Sequence, residues 1–300
     1  MSRRQDIDVL YHAQDVVGEG PLWDATGACL WWVDIVGRAI RRLQLSTGAF
    51  TSFGSAEPPA ALALCDDGSL IVAAGTGWSQ LDPVSGVQSL IAQAPVATGG
   101  WRMNDGVVDP AGRFWTGSID EPRGSGADGK LFVFDRDRAT QILDGLLIQN
   151  GMAVSPDGGT LYLSDSHVSR RVIWAFDFDV ESGALSNRRI FHQCEHGRPD
   201  GAAVDSEGCY WFAAIDAGEI VRLDPDGILM TSIPLPVTRP TKPAFGGPDL
   251  STLYVTTMRN GLDENELAQQ PLAGAVLALD PGVRGLPQTF ARAPGRSTSK

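Results

Sequence analysis

A tight turn running into an apolar strand recurs six times along these 300 residues, and this repeat restricts the fold more than any other feature of the chain. The copies read "DATGACLWWVD" from Asp24, "CDDGSLIVAA" from Cys65, "DPAGRFWTGS" from Asp109, "SPDGGTLYLSD" from Ser155, "DSEGCYWFAA" from Asp205 and "GPDLSTLYVTT" from Gly247. Five place Gly fourth (Gly27, Gly68, Gly112, Gly158, Gly208), where a hairpin turn needs positive φ; the sixth has Leu250 there. These fourth positions lie 41, 44, 46, 50 and 42 residues apart. After each copy comes a further alternating strand, polar turn and strand, as in "IRRLQLSTGAF" and "VIWAFDFDVESGAL".

Four short strands per unit, at a period between 40 and 50, are the mark of a β-propeller blade. Six copies predict an all-β, six-bladed β-propeller with a central site, forming one domain over residues 1–290. A solenoid is the competing repeat architecture, but no terminal capping repeat is visible. "DVLYHA" precedes the first copy and is expected to pair with the last blade, closing the ring. "LDENELAQQ" (262–270) is the one helical turn expected. The polar, aperiodic "ARAPGRSTSK" (291–300) reads as a flexible C-terminal tail.

Equivalent blades put equivalent residues around the axis. Five residues before each turn stand Glu19, Ala60, Asn104, Asn150, Asp200 and Lys242. Gly20, Gly151 and Gly201 directly follow three of them, which suits crowded backbone. Carboxylate and amide oxygens converging from separate strands make a site for one hard divalent cation, with Ca²⁺, Mg²⁺ or Mn²⁺ favoured and Zn²⁺ possible. The bland alternative is a set of polar strand ends wetting a channel. Lys242 offers a positive charge between the acids in either case.

Other chemistries find less support. The chain carries 24 basic and 36 acidic residues, a net charge of −12, which disfavours nucleic acid and anionic membranes as partners. No apolar run is long enough for a membrane span, and the N-terminal arginines have no apolar stretch behind them, so a cytoplasmic protein is expected. Cys29, Cys65, Cys194 and Cys209 are scattered and read as reduced core thiols. There is no G-x-S-x-G, and His12, His167, His192 and His196 stand outside the ring. "GSGADG" from Gly124 lies between strands and reads as a hairpin loop, not a dinucleotide fingerprint. Trp23, Trp31, Trp115, Trp174 and Trp211 recur at strand positions and are expected to pack, whereas Trp101 beside Arg102 has an equal claim to touch substrate. Asp34 and Asp165 are expected to hydrogen-bond strand ends.

"GEGPLWD", "RMNDGVVDPAGRFWTGS", "QNGMAVSPDGGTLYLSDS", "RPDGAAVDSEGCYWFAA" and "TKPAFGGPDLSTLYVTT" together resemble the SMP-30/gluconolactonase/luciferin-regenerating family, in particular its bacterial sugar-lactonase branch, over roughly residues 8–290. The resemblance implies one divalent metal in the channel and hydrolysis of small sugar lactones to aldonic acids. It places the metal ligands on Glu19, Asn150 and Asp200, and the catalytic base on Asp200. Substrate-orienting groups fall on Arg102 and Asn104, and a further acid falls at Glu121 or Asp120. A lactonase acting on a non-sugar ester, and a non-catalytic metal-binding scaffold, are the rival readings.

Overall fold

The computed structural model describes residues 6–96, 100–120 and 128–295. Among these, six antiparallel sheets of four strands form a six-bladed β-propeller. Blade one runs Gly18–Asp24, Cys29–Asp34, Ala39–Gln44, Phe50–Gly54 from the axis outward. The inner strands of the later blades are Pro59–Leu64, Trp101–Val108, Gln149–Val154, Arg198–Val204 and Pro240–Gly246. Each inner strand neighbours the next, and the first neighbours the sixth, so the ring is closed. All six enter the channel at one end, taken here as the upper end, and leave at the repeated turns below.

Blade six is completed by the start of the chain. Its outermost strand is Ile7–Tyr11, paired antiparallel with Val276–Leu279. The expected pairing of "DVLYHA" with the last blade therefore holds. Among the described residues the single α-helix is Glu264–Gln269, opened by a capping box in which Asp263 and Glu266 bond each other's backbone N–H. No helix of the described residues is long and apolar enough to cross a membrane.

The turns are held by their first residues. Asp109 accepts from the Ala111 and Arg113 amides and from Trp115 Nε1, and Asp205 accepts from Glu207, Cys209 and Trp211 Nε1 in the same way. Positive φ follows the expected glycine at Gly68, Gly112, Gly158 and Gly208. Two turns depart from the expectation. Ala28 (φ 48°) takes the left-handed residue in the first, in place of Gly27. Leu250 (φ 60°) accepts it in the sixth despite its side chain.

The core lies between blades. Trp31, Trp78, Trp115 and Trp211 are fully buried there, where removing a large apolar side chain from water contributes roughly 1.5–3 kcal/mol. Trp101 joins them: it is buried, stacks on Phe132 with centroids 5.6 Å apart and is not among the residues that line the central cavity. Residue 291, the first of the expected tail, is packed against the ring. Ala291 is buried, bridges Cys65 and donates its N–H to Leu64 O at 2.7 Å, because residues 284–293 run beneath the ring from blade five to blade two.

Candidate functional site

Every inner strand breaks register with its neighbour at the same height. The shifts fall at Glu19/Leu22, Pro59/Ala61, Met103/Gly106, Asn150/Ala153, Pro199/Ala202 and Pro240/Lys242. Such irregularities re-aim side chains and recur beside functional sites. They coincide with the six equivalent positions counted from the turns. Carboxylates fix how two of these strands enter: Asp34 accepts the Val16 and Val17 amides, and Asp165 the Leu147 and Ile148 amides, at 3.0–3.1 Å.

Glu19, Arg102, Asn104, Asn150 and Asp200 meet around one cavity of about 50 Å³. Its remaining wall is mostly aliphatic, with Val17, Ile35, Ile119, Ile148 and Ile215 among the contributors. Asn150 Nδ2 donates to Asp200 Oδ1 and, at 3.4 Å, to Ser166 Oγ. Ser166 in turn donates to Pro199 O, tying blade four to blade five. Gly151 sits at φ 53°, with Tyr210 OH donating to its carbonyl at 2.7 Å. A Cβ at Gly151 would lie 2.2 Å from Ser164 Oγ, so only glycine fits behind Asn150.

The electrostatics are those of crowded acids. Burial, then the neighbouring Asp200 and Asp105 carboxylates, push the Glu19 carboxyl well above its ordinary range; Lys242 and the Gly20 N–H pull the other way. Asn150 Oδ1 is buried with no hydrogen-bond partner among the described residues. An acceptor left bare beside two carboxylates is costly unless a positive centre is shared between them. The donor set (two carboxylates and an amide oxygen) therefore fits a hard cation.

Asn104 and Arg102 form a unit. Arg102 Nη1 donates to Asn104 Oδ1 at 3.1 Å and to Met103 O at 2.9 Å, while Asn104 Nδ2 donates to Gln149 O at 2.7 Å. Asn104 thus anchors the guanidinium to the next blade. Asp120 ends the second strand of blade three, paired with Trp101, and is not part of the cavity wall; Glu121 lies outside the described residues. Of the other ring members, Ala60 is apolar and Lys242 turns away from this cavity, its Nζ donating to Asp105 Oδ1 and, at 3.1 Å, to Gly106 O. Below lies a larger cavity of about 380 Å³, walled by backbone, aliphatic side chains and residues 286–289. Lys242 is its one charged lining residue among those described. Glu19, Asn104, Asn150 and Asp200 line the smaller cavity and not this larger one.

Sequence reasoning missed two of these residues. Asp105 follows Asn104 directly, so simple alternation puts it on the opposite face. The register shift after Met103 brings it to Lys242 and to the Met152 N–H, 3.0 Å from Oδ2. Arg198 lines the cavity two residues before Asp200, the same offset at which Arg102 precedes Asn104. That shared offset was the available signal.

Comparison with known proteins agrees with the propeller fold. Residues 17–259 match the SMP-30/Gluconolactonase/LRE-like region. The chain is 39% identical over 273 residues to 6-deoxy-6-sulfogluconolactonase of Pseudomonas putida, covering 90% of this chain and 93% of that one. It is 35% identical over 280 residues to regucalcin of Gallus gallus, with 90% and 93% covered. Among solved structures, the calcium-binding protein regucalcin of Agrobacterium tumefaciens superposes with a TM-score of 0.91 at 29% identity, covering 96% of this chain and 98% of that one. With residues 17–259, more than half of its length, matched, the chain belongs to the SMP-30/gluconolactonase/LRE-like family.

Proposed function

We propose that this protein hydrolyses sugar lactones to aldonic acids with the help of one divalent cation held by Glu19, Asn150 and Asp200. The observation that carries the reading is the bare, buried Asn150 Oδ1 beside two carboxylates that repel one another. The family's lactonases support the reaction class; the oxygen donor set supports Ca²⁺, Mg²⁺, Mn²⁺ or Zn²⁺ as the ion.

A bound divalent ion supplies Lewis acidity for ester hydrolysis. Asp200, bonded to Asn150 through Oδ1, takes the proton of the attacking water through Oδ2. Arg102, clamped by Asn104 and Met103, donates to the lactone's oxygens. The aliphatic wall limits the water that reaches the ester.

Proton release over a panel of aldonolactones tests this, alongside calorimetric titration of the chelated protein with each ion. The expected result is hydrolysis lost on chelation, restored by one ion per chain, and ion binding lost in Glu19→Gln. Full hydrolysis after exhaustive chelation would overturn the metal assignment. Ion binding with no hydrolysis of any lactone or simple ester would leave a metal-binding scaffold instead.

A further inference from the structure

Two residues above the ring, the six equivalent positions are Val17, Pro58, Arg102, Ile148, Arg198 and Pro240. This tier precedes the ring where the strands enter the channel, and Val17, Arg102, Ile148 and Arg198 from it line the same cavity as the ring's donors. Four of its members are apolar. The other two are arginines, in blades three and five, on either side of the blade that carries Asn150. Both line the cavity.

Arg198 is fixed and only partly exposed. Its Nε donates to Asp216 Oδ2 at 2.7 Å, with the side chain 19% exposed. Asp216 gives its other oxygen to Arg239, at 3.4 Å, so one carboxylate is shared between two guanidiniums. Bonding through Nε holds the plane of the Arg198 fork in one orientation, which lowers the entropy lost when its remaining N–H groups meet an anion. Neutral hydroxyls do not require a second guanidinium in an aliphatic mouth. A tetrahedral or planar anion does, because charge-assisted forked contacts are the strength of arginine.

Resting on the lactone reading above, we infer that the preferred substrate is a sugar lactone bearing an anionic group (phosphate, sulfonate or carboxylate) at the end remote from the ester. Arg198 is the specificity-determining residue that binds this group. The lactone carbonyl lies at the Glu19–Asn150–Asp200 level, and the anion reaches the tier of Arg102 and Arg198. Arg102 remains with the ester and its hydroxyls through its anchor on Asn104.

Two measurements test this on the metal-loaded protein. The first compares kcat/KM for glucono-δ-lactone and 6-phosphoglucono-δ-lactone in wild type, Arg198→Gln and Arg198→Lys. The expected outcome is a wild-type preference for the phosphorylated lactone. Arg198→Gln should lower that substrate's kcat/KM by about 10- to 100-fold, the worth of hydrogen bonds to a charged group, with the neutral lactone within a few-fold of wild type. Arg198→Lys should fall between. The second measurement is calorimetric binding of gluconate and 6-phosphogluconate, which needs no turnover. Tighter binding of the phosphorylated acid, lost in Arg198→Gln, would sustain the anion site even if no lactone were hydrolysed and the catalytic reading failed. Equal handling of charged and neutral compounds by wild type overturns the inference. So does an Arg198→Gln effect of equal size on both, which would make Arg198 merely structural.

Discussion

Lys242 in blade six reaches across the channel to the carboxylate of Asp105 in blade three, the blade opposite. Its stem passes over Gly201, where a Cβ would come within 2.4 Å of Lys242 Cβ. Both charges are buried, and the pair stands between the oxygen cluster above and the larger cavity below. Removing one partner of such a pair leaves an uncompensated charge. Lys242→Met is therefore expected to lower the unfolding free energy by about 3–5 kcal/mol. Lys242→Met with Asp105→Asn should recover much of that loss, since the amide oxygen still accepts the Met152 N–H. Urea unfolding of the four proteins in the cycle measures the coupling; additive losses would show that the contact carries little energy.

Asp200 and Asn104 should differ sharply in their effect on turnover. Asp200→Asn removes a negative charge from the oxygen cluster together with the proposed proton acceptor, and is expected to cost about 10²–10⁴-fold in kcat. Asn104→Ala removes the Arg102 contact to Asn104 Oδ1 and should act more on KM. Initial rates with saturating divalent ion decide between them. An Asp200→Asn protein within a few-fold of wild type would remove Asp200 from the mechanism.

Stability should fall as pH rises through the range of one buried acid. Burial pushes the Asp15 carboxyl up from 3.8 to about 6, outweighing Arg41 and the Trp32 hydrogen bond, while Asp34 adds repulsion. Arg41 Nε lies 2.6 Å from Oδ1 and offsets the burial only in part. Between these two values the folded chain holds more protons than the unfolded one. The stabilisation is therefore complete below about 3.8 and gone above about 6. Asp15→Asn cannot titrate, so the stability of wild type relative to this variant should decline across that window by at most about 1.4 kcal/mol per pH unit. Denaturant unfolding of both proteins from pH 4 to 7 measures it, and a constant difference would refute the assignment.

Pentono- and hexonolactones should be hydrolysed far faster than γ-butyrolactone. Arg102 and Asn104 crowd a cavity of about 50 Å³ with polar groups that a plain ring leaves unmatched. Sites built to bond hydroxyls reject the analogue lacking them by about 10⁴-fold or more. Similar kcat/KM values for the two substrates would point to an esterase of broader use.

The repeat made most of this architecture readable in advance. A fixed spacing of turns exposes the blades, and equivalence around an axis gathers Glu19, Asn104, Asn150 and Asp200 from distant parts of the chain. What stayed hidden depends on backbone detail that composition does not encode. A register shift moves Asp105 to a face that alternation denies it. Ala28 and Leu250 take left-handed conformations because the surrounding ladder fixes the turn. Ala291 looks like tail in sequence, yet it is buried because blade two offers Leu64 O as a partner.

The closing strand of blade six also orders events in time. Ile7–Tyr11 leaves the ribosome before every other strand of the six sheets, and its partner Val276–Leu279 leaves after them. Five blades can complete their sheets while the sixth waits, and Ile7–Tyr11 must stay unpaired until that partner has been made. The circle cannot lock until the last of these strands is present. A chain released early would keep an exposed edge at each end of its sheet array, open to pairing with other nascent chains.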